Sequence, residues 1–233
     1  MSQVDMLRNV SFFAGLSEQE LEPLAGSLGR RTFAKGMIIF HKGGTGQTLY
    51  VIESGKVRIF ILSESGQEIS VNVYGPGDVF GELALLDGLP RSAGAVAMEK
   101  TVALTLHRAD FLRNLDACPG MARNIMEVLS ARIRYTTTYA ESLSFLDVYG
   151  RVAAKLLELA DRYGSQEQAV GEGQVAVAID LRLTQTELAT WVVASRERVN
   201  KVLGAFRDHG LIDIDGQKVT ILDRQGLEKR IQY

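Results

Sequence analysis

The chain is poor in several residue types, and each shortage removes a class of function. Its one cysteine, Cys118, cannot close an internal disulfide, build an iron–sulfur cage or complete a CxxC redox pair. His41, His107 and His209 are scattered, with no spacing that would hold haem or a metal ion. No apolar stretch reaches the roughly 18–20 residues that cross a bilayer. The opening Met1-Ser2-Gln3-Val4-Asp5-Met6 lacks the basic and apolar regions of a signal peptide. We therefore expect a soluble, cytoplasmic protein with no membrane partner. No Ser/His/Asp, Cys/His or paired-carboxylate constellation stands out, which argues against an enzyme.

Excess positive charge is also missing. Twenty-six Lys and Arg face 28 Asp and Glu, a net charge of −2. A protein that holds a polyanion usually advertises it, so any nucleic-acid contact here must come from a local patch. Against these absences, 46% hydrophobic residues in a chain of 233 are enough for a buried core. At about 100–200 residues per domain, that length fits one large domain or two ordinary ones.

The first half is β-rich and punctuated by glycine. Leu49–Gly55, Lys56–Leu62 and Glu68–Tyr74 are short β-branched runs at near ten-residue spacing, closed by Gly75-Pro76-Gly77. Residues 94–107 add one or two more strands, so an antiparallel sandwich or barrel is expected. Ser17-Glu18-Gln19-Glu20 is a capping box for a short helix before them. Beyond Pro119 the pattern changes. Met126, Leu129, Ile133, Thr136, Ala140 and Leu143 recur at intervals of 3, 4, 3, 4 and 3, the seam of a helix about 25 residues long. Such a helix extends nearly 40 Å, more than one small β-domain covers, so the seam is read as a homodimer contact, with a long core helix as the plainer alternative. Ile125 and Tyr139 flank the stripe and widen it. A further helix is expected over Val152–Tyr163, then a polar loop from Gly164 to Gly173, two helices, and two short strands around Asp215-Gly216.

Phe80-Gly81-Glu82-Leu83-Ala84-Leu85-Leu86-Asp87-Gly88-Leu89-Pro90-Arg91-Ser92-Ala93 carries the most chemistry. It contains one turn of helix, Glu82–Leu86, opened by a glycine. Backbone amides at such a start can approach an anion closely. Arg91 brings a planar, permanently charged fork to the same anion. Glu82 would repel a phosphate, but it suits a sugar hydroxyl on the same ligand, and phosphate with ribose indicates a nucleotide. On chemistry alone, a hairpin turn with a surface Glu–Arg pair remains an equal reading. The segment resembles the phosphate-binding cassette of cyclic-nucleotide-binding domains, Phe-Gly-Glu-Leu-Ala-Leu followed by Pro-Arg and a small residue. Every one of those positions is filled here. The resemblance implies that Gly81 and the amides of Glu82 and Leu83 hold phosphate, that Glu82 takes the ribose 2′-hydroxyl, and that Arg91 takes the phosphate charge. Ser92 would sit beside phosphate or purine.

Residues 185–204 read as two short helices. Thr184 and Glu187 cap the first, and Ser195 caps the second. Leu188, Val192, Val199 and Val202 would meet between them, with Ala189 small at the crossing. Arg196, Arg198 and Lys201 lie within two turns with Glu197 the one acid among them, so Ala194–Lys201 carries a local +2. Arg or Lys can bond guanine, and Glu can accept from cytosine. A solvated amphipathic helix is the plainer alternative. The segment resembles the helix–turn–helix of Crp/Fnr regulators, where Ser-Arg-Glu and a basic residue four positions on read DNA. Those residues are Ser195, Arg196, Glu197 and Lys201, with Arg198, Thr184 and Gln185 in the same DNA-facing set. Leu211–Ile221 resembles the β-hairpin wing. One departure stands out: the turn that usually carries Gly has Val193, which is strained there or imposes another geometry.

Cassette, long helix and helix–turn–helix, in that order, select the Crp/Fnr family over kinase regulatory subunits and channels. The implied fold is α+β: an antiparallel β-roll over 1–118, a dimerisation helix and hinge over 119–147, and a winged helix–turn–helix over 148–233. In cAMP-binding members the long helix touches adenine where Thr136 and Thr137 stand here, with Arg132 one turn earlier. The implied effector is cAMP, with cGMP, another effector or none as alternatives. The implied partners are a pseudo-palindromic DNA operator, a second copy of the chain and RNA polymerase.

Overall fold

The computed structural model describes residues 3–64, 66–169, 175–181 and 184–231. In chain order the elements begin with α1 (Gln3–Arg8), a 3-10 turn at Ser11–Phe13, and α2 (Glu18–Gly26). Strands β1 (Gly29–Phe33), β2 (Ile38–Phe40), β3 (Thr48–Ser54), β4 (Val57–Leu62), β5 (Glu68–Tyr74) and β6 (Val79–Phe80) follow. Then come α3 (Leu83–Leu86), β7 (Gly94–Ala97), β8 (Thr101–His107), α4 (Arg108–Ala117) and α5 (Pro119–Phe145). The remainder comprises α6 (Val148–Tyr163), β9 (Gly164–Ala169), β10 (Val175–Ile179), α7 (Gln185–Val192), α8 (Arg196–Asp208), β11 (Ile212–Asp215), β12 (Lys218–Ile221) and α9 (Arg224–Glu228). The chain divides into two compact units, Met1–Arg134 and Tyr135–Tyr233, and α5 runs from the first into the second.

Two antiparallel four-stranded sheets, β1-β8-β3-β6 and β2-β7-β4-β5, build the first unit. Strand β3 shows why they stack. Its side chains alternate between faces, so Leu49 and Val51 join Leu7, Phe12, Leu21, Leu104, Phe111, Met121 and Ile125 in one core. Tyr50 and Ile52 point the other way, into a second core with Phe33, Val57, Phe80, Ala95 and Ala103. One sheet thus has helices on one face and the second sheet on the other, the roll expected from the spaced β-branched runs. Helix α2 starts as anticipated, with the Glu20 carboxylate accepting the Ser17 backbone N–H at 2.8 Å. Helix α4 had no counterpart in the sequence reading; its apolar side is short, with Phe111 its one buried large side chain.

Helix α5 extends over 27 residues, beginning at Pro119 in the first-turn position that tolerates a missing N–H. Its seam is uncovered in part: Met126 is 61% exposed, Ile133 68% and Leu143 36%, whereas Leu129 packs against the core of the first unit. The flanking residues do not widen that seam. Ile125 is buried in the core of the first unit, and Tyr139 hydrogen-bonds within the second.

In the second unit, the helical hairpin α7–α8 and helices α6 and α9 accompany a sheet in the order β11-β12-β10-β9. Asp147 caps α6 by accepting the Gly150 N–H at 2.8 Å, which starts the helix four residues before Val152. The polar loop expected from Gly164 is instead strand β9 as far as Ala169, paired antiparallel with β10. Backbone pairing supplies its hydrogen bonds, so a polar sequence without alternation still forms a strand. Residues 170–173 of that expected loop lie outside the described residues. Strand β10 (Val175–Ile179) was likewise absent from the sequence outline.

Candidate functional site

The cassette leaves β6 at Phe80 and turns through Gly81, whose φ of +80° is open only to glycine at low cost. Glu82 then takes helical dihedrals and α3 follows, so consecutive amides converge on one side of the turn. Arg91 returns to this turn ten residues later. Its backbone is tied to the 41–47 loop by Arg91 N–H to Gly44 O and Gly43 N–H to Arg91 O, both 2.8 Å.

The Arg91 side chain is buried, 5% exposed, and lies against two glycines. A Cβ on Gly81 would stand 2.6 Å from Arg91 Nη1, and one on Gly46 would stand 2.9 Å from its Cζ. Nη1 donates to Gly81 O, and Nη2 donates to Thr48 O at 2.6 Å. Below the guanidinium lies Phe40, its ring centroid 4.2 Å from Cζ. Phe40 contacts Tyr50 and Phe80, which stack with centroids 5.0 Å apart. Burial lowers the Arg91 pKa, but an arginine keeps its proton, so a cation is held in an apolar setting. Arg91 Nε is buried without an acceptor. An unpartnered N–H on a buried cation, beside a glycine turn that presents amides, fits an anion such as a cyclic phosphate.

Glu82 is 4% exposed, and its Oε1 accepts from Arg132 Nη1 at 2.6 Å. Arg132 Nη2 donates to Val79 O, and its guanidinium sits 4.7 Å over the Tyr74 ring. Burial raises the Tyr74 pKa, with Arg132 opposing. Gly81, Glu82, Arg91 and Arg132 are therefore brought to one place within the first unit. Leu83 is exposed at the start of α3, and Ser92 is exposed one residue beyond Arg91. Thr136 and Thr137 are exposed on the part of α5 that belongs to the second unit. The residues missed from sequence are Phe40, Gly46, Thr48, Tyr50 and Tyr74. They lie 17 to 51 positions from Arg91 and carry no local motif that could have marked them.

In the second unit the helical hairpin forms as the caps required. Thr184 Oγ1 accepts the Glu187 N–H at 3.1 Å, Glu187 Oε2 accepts the Thr184 N–H at 2.8 Å, and Ser195 Oγ accepts the Arg198 N–H at 3.3 Å. Leu188, Ala189, Val192, Val199 and Val202 are all buried, as their spacing predicted. Val193 adopts φ +49° and ψ +58°, so the turn keeps the glycine-like geometry with a β-branched residue in it. It is the one non-glycine with positive φ among the described residues. Ser195, Arg196, Glu197, Arg198 and Lys201 are exposed, as is Thr184, while Gln185 is half-buried. The wing is a two-residue hairpin pairing Asp215 with Lys218, and Gly216 supplies its positive φ.

Comparison with known proteins adds to this geometry. A cyclic nucleotide-binding domain family matches residues 30–118, and a Crp-like helix-turn-helix domain family matches residues 150–230. The chain is 37% identical to a CRP-like cAMP-activated global transcriptional regulator of Mycobacterium tuberculosis, covering 97% of this chain and 98% of that protein. It is 34% identical to a cyclic AMP receptor protein of Thermus thermophilus, covering 96% and 97%. Among solved structures, a catabolite activator protein of Thermus thermophilus matches at 34% identity with a TM-score of 0.53, covering 95% of this chain and 98% of that one. The c-di-GMP responsive global regulator of Xanthomonas campestris matches at 25% identity and TM-score 0.73, covering 88% and 99%. With both domains matched in order and relatives aligned over nearly the whole length, the chain belongs to the Crp/Fnr family of cyclic-nucleotide-binding, DNA-binding transcriptional regulators.

Proposed function

We propose that this regulator is a homodimer that responds to cAMP, and that ligand binding repositions its helix–turn–helix on a pseudo-palindromic operator. The observation that carries the effector half is Arg91: a buried cation with an unpartnered N–H, lodged between Gly46 and Gly81. The names of the Mycobacterium tuberculosis and Thermus thermophilus relatives support cAMP in particular. In this reading Gly81 and the amides of Glu82 and Leu83 receive the cyclic phosphate, and Arg91 neutralises it. Arg132 anchors one oxygen of Glu82, which orients the carboxylate for the ribose 2′-hydroxyl. Ser92 stands beside phosphate or purine, Thr136 hydrogen-bonds the purine of its own subunit, and Thr137 reaches the ligand of the partner.

The exposed seam of α5 supports the dimer. Two copies packed through Met126, Ile133 and Leu143 would cover apolar side chains that one copy leaves in water. A dimer sets two recognition helices about 34 Å apart, one turn of DNA. Ligand affinity then depends on how the paired helices sit, and binding favours one arrangement over another. We assign residues 1–118 to the effector domain, 119–147 to dimerisation and the hinge, and 148–233 to DNA. RNA polymerase is the expected further partner, the site of action is the cytoplasm, and the role is regulatory rather than catalytic.

A second reading, regulation without cAMP, is favoured by one observation. Arg91 spends both terminal nitrogens on backbone carbonyls and lies on an aromatic ring, contacts that by themselves give it a structural role. Calorimetry of nucleotide-stripped protein with cAMP and with cGMP separates the two. The expected result is cAMP binding that Arg91→Leu abolishes, together with loss of nucleotide-dependent DNA binding in a mobility-shift assay. A variant still responsive to cAMP would overturn the pocket assignment.

A further inference from the structure

Helix α7 ends at Val192 and, like every helix, leaves its last carbonyls without intrahelical donors. Its own chain turns back to satisfy Ala189 O, which accepts from the N–H groups of Val193 and Ala194. The carbonyls of Trp191 and Val192 are met from other helices. Tyr139 Oη of α5 donates to Trp191 O at 2.9 Å. Arg151 Nε of α6 donates to Val192 O at 2.8 Å, while its Nη1 donates to Leu146 O at 2.7 Å in the link between α5 and α6.

The residue these two bonds precede is Val193, whose left-handed conformation is strained for a β-branched residue. Close packing does not hold this end of α7 from every side. A cavity of about 250 Å³ adjoins it, lined by Tyr135, Tyr139, Ser142, Lys155, Trp191 and Val192 among others. Where atoms do not interlock, directional bonds set the register. Tyr139 also lies one helical turn beyond Thr136, so a rotation or shift of α5 at that level is carried to the carbonyl it grips.

We infer that Tyr139 and Arg151 are positioning residues for DNA reading: they clamp the carbonyl end of α7 to α5 and α6, fixing the turn that aims α8. The link to the effector rests on the cAMP-responsive reading above; the clamp itself rests on the hydrogen bonds. Removing a clamp bond lets the turn before α8 sample other positions, and DNA binding must then re-order it.

The test uses full-length protein and a duplex selected from random sequence by the wild type in cAMP. DNA dissociation constants are measured with and without cAMP for the wild type, Tyr139→Phe, Arg151→Gln and, as a control on the same cavity wall, Thr138→Ala. Thermal melts check folding. Tyr139→Phe is expected to weaken DNA binding about fivefold, one hydrogen bond's net worth, and to shrink the cAMP-induced gain in affinity by a similar factor. Its cAMP affinity without DNA should stay within about twofold of wild type. Arg151→Gln should act in the same direction, and Thr138→Ala should match the wild type. Trp191 is the chain's one tryptophan, so its emission should shift with cAMP in the wild type and not in Tyr139→Phe. A folded Tyr139→Phe with wild-type DNA affinity and wild-type cAMP gain would overturn the proposal. If cAMP has no effect on the wild type, the effector reading fails instead. The clamp is then decided by DNA affinity alone, where Tyr139→Phe must still show the fivefold loss.

Discussion

Replacing Gly81 by alanine tests the cradle around Arg91, and Gly36→Ala is its internal control. The two glycines have nearly the same dihedral, φ +80° at Gly81 and +79° at Gly36. Each substitution therefore pays a similar backbone penalty, about 1–2 kcal/mol for an L-residue in the left-handed region. What differs is the space. A Cβ at Gly36 meets nothing within 4 Å, whereas one at Gly81 stands 2.6 Å from Arg91 Nη1 and 3.3 Å from Thr48 O. Thr48 O is backbone of strand β3 and cannot yield, so the guanidinium must move. Moving it strains the charge-assisted bonds to Gly81 O and Thr48 O, each worth about 1.5–3 kcal/mol. With one of them lost, Gly81→Ala should be about 2 kcal/mol less stable than Gly36→Ala in urea unfolding followed by circular dichroism. Calorimetry with cAMP should show at least a tenfold loss of affinity, about 1.4 kcal/mol, for Gly81→Ala. Gly36→Ala should remain within about twofold of wild type. Equal behaviour of the two variants, in stability and in affinity, would refute the reasoning.

Three further outcomes follow from other parts of the molecule. Ile133→Glu puts a carboxylate in the middle of the exposed seam, which costs a single copy little because the site is 68% exposed. Sedimentation should show dimer dissociation strengthened at least about a hundredfold by the buried charge, and an unchanged dimer would remove the seam from the interface. Val193→Gly relieves left-handed strain of about 1–2 kcal/mol at a backbone-entropy cost of about 0.5–1 kcal/mol, so a net gain near 1 kcal/mol is expected in urea unfolding. A loss of stability there would mean that packing of the half-buried Val193 side chain outweighs the strain. Finally, the Tyr139 phenol is pushed up to about 12, chiefly by burial, with Arg151 pulling it down. The unfolded chain ionises first, so this group's contribution is intact below about pH 10 and declines as pH rises from about 10 towards 12. Unfolding at pH 8 and pH 11 should show the stability gap between wild type and Tyr139→Phe narrowing at the higher pH; a gap that widens would contradict the assigned burial.

Charge bears on how the protein holds DNA. Residues 148–233 carry 12 basic and 12 acidic groups, and the local +2 lies at the start of α8. Without net positive charge on this unit, binding is expected to be weakly salt-dependent and governed by the placement of α8.

The features legible in the sequence are those carried by adjacent or periodically spaced residues. The cassette is contiguous, the α5 seam repeats every three or four residues, and the caps Ser17, Thr184 and Ser195 act on amides three positions away. Each reports the conformation of its own stretch of backbone, which short-range sterics and hydrogen bonding decide. Even the oddity at Val193 could be located, though not which geometry it takes. The buried contacts between the two hairpin helices require the left-handed turn, and their packing offsets its strain.

Tertiary structure decided what lies across the chain. Strand β9 is polar, and only pairing with β10 makes it a strand. Ile125, adjacent to the seam in sequence, turns into the core of the first unit because α5 presents a second face there. The Glu82–Arg132 pair spans 50 positions, and Arg91 reaches Thr48 across 43. Sequence alone determined that this chain carries a glycine-opened turn of helix before Arg91, a long apolar-seamed helix and a capped helix–turn–helix, because local backbone preferences encode them. Which aromatic ring supports Arg91, and which side chains grip the end of α7, were decided by packing. Those contacts depend on sheet register and helix docking, which no short segment specifies by itself.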